Sequence, residues 1–117
     1  MSEAHLVSEA TRFFDLYSRG DVTPDAIEDF VGRWHDDVDP WARDMPLHEY
    51  LGLTHEEYEV WLYDPRSLPC ILRSRQSGED LVRIMAERYD ELLATNRLED
   101  QTALFSLGNW LKRKQVR

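Results

Sequence analysis

Apolar residues in this chain return every three to four positions, which commits it to helices before anything else is considered. Ile27, Phe30, Val31 and Trp34 fall at i, i+3, i+4 and i+7, the one-sided stripe of an amphipathic helix. Leu81, Ile84, Met85, Tyr89, Leu92 and Leu93 make a second such stripe, and Ala103, Leu104, Leu107, Trp110 and Leu111 a third. No segment sustains a two-residue alternation with β-branched residues, so no strand is expected. The pattern predicts an all-α fold of five to six short helices. At 117 residues and 42% apolar content, the chain is long enough to bury a core without metals or disulfides.

Prolines and glycines divide the stripes. Leu6, Ala10, Phe13 and Tyr17 define a first helix, widened by Val7 and Phe14 and closed by Gly20. Thr23-Pro24 reads as an N-cap with proline at the first helical position. This second helix stops in Asp36-Asp37-Val38-Asp39-Pro40, and a surface loop is expected through Met45. Pro46 opens a third helix that Gly52 breaks. Thr54 with Glu57 forms a capping box for a fourth, whose apolar face is Tyr58, Trp61 and Leu62. Asp64-Pro65 ends it and caps a piece carrying Leu68, Ile71 and Leu72, in which Pro69 either occupies the first turn or breaks the helix. A long helix over 79–95 closes at Asn96, and a last one runs from about Glu99 into Lys112-Arg113-Lys114, where cations suit a helix C-terminus. One helical domain over 1–117 is expected. Its sub-units would be a core over 1–76 and an antiparallel hairpin over 77–117 packed against it.

Charge is unevenly placed. Residues 1–64 hold sixteen acids and four arginines, a balance of −12, whereas residues 65–117 hold seven acids and ten bases, +3. The first part would repel a phosphate backbone and attract a basic partner; alternatively, its acids only keep the chain in solution. A single cysteine, Cys70, fits a reducing compartment. No signal peptide or membrane span is legible, so the expected location is the cytoplasm.

The most specific local pattern is PLHEYLGLTHEEYEVWLYDPRSLPCIL, from Pro46 to Leu72. Its first part resembles a helix-turn-helix near the centre of the chain. Leu47 and Leu51 would be buried in the first helix, Gly52 left-handed in the turn, Leu53 a plug, Thr54 the cap, and Tyr58 and Trp61 the packing positions of the second helix. His48 departs from the motif, which usually has a small residue there. The would-be reading surface, Thr54, His55, Glu56, Glu59, Val60 and Tyr63, carries glutamates, and no Lys or Arg lies between Pro46 and Asp64. Over roughly residues 25–75 the chain also resembles short, mostly uncharacterised bacterial proteins. The resemblance rests on Trp34-His35, the Leu-Gly-Leu-Thr turn, Glu57-Tyr58, Trp61, Asp64-Pro65 and the Leu68-Pro69 to Leu72 end. Some of those are similar to antitoxins or other small partners encoded beside toxins.

No catalytic constellation is legible. His5, His35, His48 and His55 lack zinc-site spacing. Cys70 sits in an apolar run and reads as packing. The acids Asp36, Asp37, Asp39 and Asp44 do not fit a calcium loop, whose sixth position would be Trp41. There is no glycine-rich phosphate loop. No cofactor, metal or enzymatic activity is expected.

The leading expectation is therefore an acidic protein-binding module, an antitoxin- or immunity-type inhibitor of a basic toxin or enzyme. Its partner surface would comprise Asp36, Asp37, Asp39, Trp41, Asp44, His55, Glu56, Glu59 and Tyr63. Trp41, in a loop among acids, would be either a lid on the core or an exposed anchor. The alternative is a DNA-binding regulator, for which Arg66, Arg73, Arg75, Lys112, Arg113 and Lys114 are the candidate nucleic-acid contacts. These bases would otherwise pair with the acidic first part. A third reading is an enzyme with an unrecognised site using Cys70 or a histidine.

Overall fold

The computed structural model describes residues 12–115. Leu6, Val7, Ala10 and His5 lie outside them. Among the described residues there are seven α-helices and no strand: α1 Phe13–Ser18, α2 Ala26–His35, α3 Leu47–Leu51, α4 His55–Tyr63, α5 Leu68–Ser77, α6 Leu81–Thr95 and α7 Gln101–Gln115. Short 3-10 turns at Pro40–Ala42, Pro65–Ser67 and Leu98–Asp100 lead into α3, α5 and α7. No helix among the described residues is long and apolar enough to cross a membrane.

The chain forms two compact units, Met1–Tyr58 and Glu59–Arg117. The division falls inside α4, whereas the sequence suggests sub-units meeting at 76/77.

The first unit packs α1 against α2 and α3, and α2 against α3. Its core is aromatic. Phe13, Phe14, Tyr50 and Leu51 are fully buried, and burial of each such side chain contributes about 1.5–3 kcal/mol. Phe13 meets Phe30 edge-on at 5.7 Å and stacks on Tyr17 at 5.8 Å. The turn expected between α3 and α4 is present. Gly52 is left-handed at φ 83°, Leu53 is buried, and the Leu53 amide returns to the His48 carbonyl at 2.9 Å. A Cβ on Gly52 would lie 3.3 Å from Arg12 Cβ, so the turn needs glycine for space as well as for φ. The capping box forms as expected: the Thr54 amide donates to Glu57 Oε1 at 2.9 Å, and the Glu57 amide donates to Thr54 Oγ1 at 3.1 Å. His48 faces the second helix, its ring 5.5 Å from that of His55 and 6.1 Å from that of Tyr58.

In the second unit α6 packs on α5 and α7. The core is largely aliphatic: Val60, Leu68, Ile71, Ile84, Met85 and Leu107 are fully buried, as is Trp110, and Trp61 is buried too. Ala86 and Tyr89 of α6 line one groove with Gly108 and Leu111 of α7. Pro69 lies in the first turn of α5, where its missing N–H has no helical partner to lose. Asp80 caps α6 through the Val82 amide at 3.3 Å, and Asn96 closes it left-handed at φ 50°.

Four sequence expectations are corrected. α2 begins at Ala26 with Asp25 as N-cap, because Thr23-Pro24-Asp25 forms a preceding turn whose Thr23 carbonyl accepts from the Ala26 amide. On α4 the buried line is Glu57, Val60, Trp61 and Asp64, at i, i+3, i+4 and i+7. Leu62 falls off that line and is exposed, and Val60, assigned to a reading surface, is fully buried. Leu93 is likewise exposed, one residue past the Leu92 position that α6 buries.

Candidate functional site

The segment joining α2 to α3 is clamped. Trp34 Nε1 donates to the Met45 carbonyl at 2.8 Å, which ties the end of the segment to α2. Asp39, expected on a partner surface, is buried instead. Arg33 donates to its Oδ1 at 2.7 Å and the Tyr50 hydroxyl to its Oδ2 at 2.6 Å. A buried carboxylate requires such partners, and charge-assisted bonds of this length are strong. Burial and the bond to Asp39 push the Tyr50 hydroxyl up from its ordinary range, and the bond to Asp39 raises Arg33.

This arrangement settles the position of Trp41. Its ring stacks on Tyr50 at 5.4 Å, and the Arg12 guanidinium lies 5.6 Å from its centroid. Trp41 is a half-buried lid. Beside it runs an open groove of about 310 Å³ lined by Pro40, Trp41, Arg43, Asp44, Met45, Pro46 and Glu49. Asp36, Asp37, Asp44 and Glu49 are exposed along the same stretch. Arg43 approaches Asp37 at 3.6 Å and His35 approaches Asp36 at 3.7 Å; exposed pairs of this kind hold little. Residues 1–58 carry fourteen acids against four arginines, so this part of the chain is acidic as a whole.

The other expected partner residues lie on α4. His55 is exposed and Glu56 half-buried. Glu59 and Tyr63 belong to the second unit and are engaged there: Glu59 Oε1 accepts from Trp110 Nε1 at 3.2 Å, and the Tyr63 hydroxyl accepts from Arg113 at 3.2 Å.

Among the candidate nucleic-acid contacts, Arg66 and Arg73 bind carboxylates of the second unit. Arg66 donates to Asp100 at 2.7 Å and to Asp64 at 3.4 Å. Arg88 also donates to Asp64, which is completely buried. Arg73 binds Glu79 through two nitrogens at 2.9 and 3.0 Å and reaches Glu87 at 3.3 Å. Hydrogen bonds to Asp100 and Glu79 raise Arg66 and Arg73 respectively. Bonds from Arg73 and Ser77 hold the Glu79 carboxyl at about 2. Lys114 lies 5.5 Å from the Trp110 ring centroid, while Arg75 and Lys112 are exposed.

Cys70 is half-buried, and burial pushes its thiol up, away from the thiolate a nucleophile needs. Among the described residues no three His, Cys, Asp or Glu side chains are grouped to hold a metal ion.

Two features escaped sequence reading. The Arg33–Asp39–Tyr50 cluster spans 18 positions with no motif spacing. Phe105 is 74% exposed and Leu98 88% exposed. The signal for Phe105 was available, because it falls off the Ala103, Leu104, Leu107, Trp110, Leu111 stripe.

The structure defines an all-α protein of two helical units, each closed around a buried aspartate. No family model matches the chain, and neither a curated protein nor a solved structure matches it.

Proposed function

We propose that the protein is an acidic binding module for a basic protein partner, of the antitoxin or immunity type, and that the partner docks on the first unit. The observation that carries this reading is the groove beside Trp41, with apolar prolines and methionine in it and exposed carboxylates that outnumber its one cation, Arg43. Such a site accepts an apolar side chain flanked by lysine or arginine. Charge complementarity speeds that encounter and selects the partner, and an aromatic floor already fixed by Tyr50 loses little freedom on binding. Residues 25–75 resemble short, mostly uncharacterised bacterial proteins, some of which are similar to small partners encoded beside toxins, and that is consistent with this function. The surface is Asp36, Asp37, Trp41 and Asp44, with Glu49 added; His55 and Glu56 lie on α4 outside the groove lining, Asp39 serves the interior, and Glu59 and Tyr63 serve the second unit. The alternative, DNA binding, would have to draw Arg66 and Arg73 away from the carboxylates they bind.

The test is a tagged pull-down from the source organism at moderate salt, with and without nuclease, using the wild type and an Asp37→Lys/Asp44→Lys variant. A stoichiometric basic protein is expected to survive nuclease and to be lost with the double reversal. Equal capture by both forms would remove this surface, and capture that needs intact nucleic acid would restore the DNA reading.

A further inference from the structure

In the second unit an exposed ring and a groove lie close together, the ring on α7 and the groove between α7 and α6. The ring is that of Phe105, 74% exposed on α7. Lys112, seven residues after it, shares its face of the helix, and Leu98, 88% exposed, lies in the 3-10 turn that leads into α7. The groove begins one turn after Phe105. There Gly108 lets the Tyr89 ring of α6 come so close that a Cβ on Gly108 would sit 3.3 Å from it. The resulting groove, about 310 Å³, is lined by Ala86, Tyr89, Asp90, Gly108, Leu111 and Lys112.

We infer that this face is a homodimer interface, in which two antiparallel copies of α7 each place Phe105 in the other's Gly108–Tyr89 groove. A two-fold axis makes any contact occur twice, so a surface suited to it must carry both halves of the contact. This one does, three residues apart. The charge order agrees. α7 carries no acid from Gln101 to Gln115, so two copies of a chain with net charge −9 meet here without setting carboxylates from this helix against each other. Antiparallel pairing places Glu99, at the start of one helix, towards Lys112-Arg113 at the end of the other and opposes the two helix dipoles. A parallel pair would instead stack the basic ends. Inside the groove the phenyl ring meets the Tyr89 ring, an aromatic contact that favours an offset or edge-on approach. The inference is independent of the proposed partner site, which lies in the other unit.

The test is sedimentation equilibrium of the full chain across a wide concentration range. The wild type is expected to approach the mass of two chains. Phe105→Asp and the groove-filling Ala86→Trp should each hold it at one chain with an unchanged helical circular dichroism spectrum. Leu62→Asp, which removes an exposed apolar residue from α4, should dimerise as the wild type does. A wild type that stays at one chain throughout overturns the inference. So does a Phe105→Asp variant that still dimerises, or a Leu62→Asp variant that fails to.

Discussion

The two units solve the same problem at different ranges. Each encloses an aspartate that must be satisfied by hydrogen bonds. In the first unit Asp39 is held by Arg33 and Tyr50, six residues before it and eleven after. The cluster is a local clip that shapes one connection and sets the floor under Trp41. In the second unit Asp64 caps the Pro65–Ser67 turn through the Arg66 amide and accepts from Arg88, 24 residues on. Arg66 then carries the connection to Asp100, 34 residues on. This cluster joins the start of α5, the middle of α6 and the entry to α7. A buried acid therefore does not mark a binding site in this chain. What distinguishes the units is how much structure each acid holds.

The sharpest way to break the comparison is to remove each acid. Asp64→Ala leaves Arg88 largely buried without its carboxylate and is expected to cost about 3–5 kcal/mol. Asp39→Ala strands Arg33, which is more exposed, and a tyrosine hydroxyl, at about 1–3 kcal/mol. Urea unfolding followed by circular dichroism measures both, and equal losses would dissolve the distinction between staple and clip.

The left-handed glycines extend the comparison at smaller scale. Gly52→Ala meets both an unfavourable φ and the Arg12 and Phe14 side chains, and about 2 kcal/mol is expected. Gly78 has a similar φ, 79°, with open space around it, so Gly78→Ala should cost only about 1 kcal/mol. If the two denaturation midpoints shift equally, crowding at the turn between α3 and α4 contributes nothing.

The smallest effect concerns acid. Glu79 is held at about 2, below its ordinary 4.5, by Arg73 and Ser77. Its contribution is complete above 4.5 and disappears as pH falls through about 2. Glu79→Gln should therefore flatten the stability profile over that window, which a series of urea midpoints at decreasing pH would reveal. An unchanged slope would show that the exposed Arg73 cluster contributes nothing.

Much of this was legible beforehand because helical spacing reports which side of a helix is covered. The α7 stripe from Ala103 to Leu111, the Thr54–Glu57 box, the Gly52 turn and the Asn96 stop all follow from local chemistry. Local chemistry fails where a residue's partner is distant. Asp39 sits in an acidic run that resembles a solvated loop, and only tertiary packing brings Arg33 and Tyr50 to it. Asp64 reads correctly as a cap, but Arg88 and Asp100 are invisible from its neighbourhood. Trp41 was evenly balanced between lid and anchor because nothing near it in sequence names Tyr50.

Because the units divide between Tyr58 and Glu59, they share one nine-residue helix, α4. Melting either unit alone would leave the other holding four or five residues of it, and a helical fragment well under about 12 residues is not stable in water by itself. Each unit's loss thus removes helical hydrogen bonds from its neighbour. Damage at Asp64 or at Gly52 should accordingly register in one cooperative transition of the whole chain, with no plateau at which half of the helix signal survives.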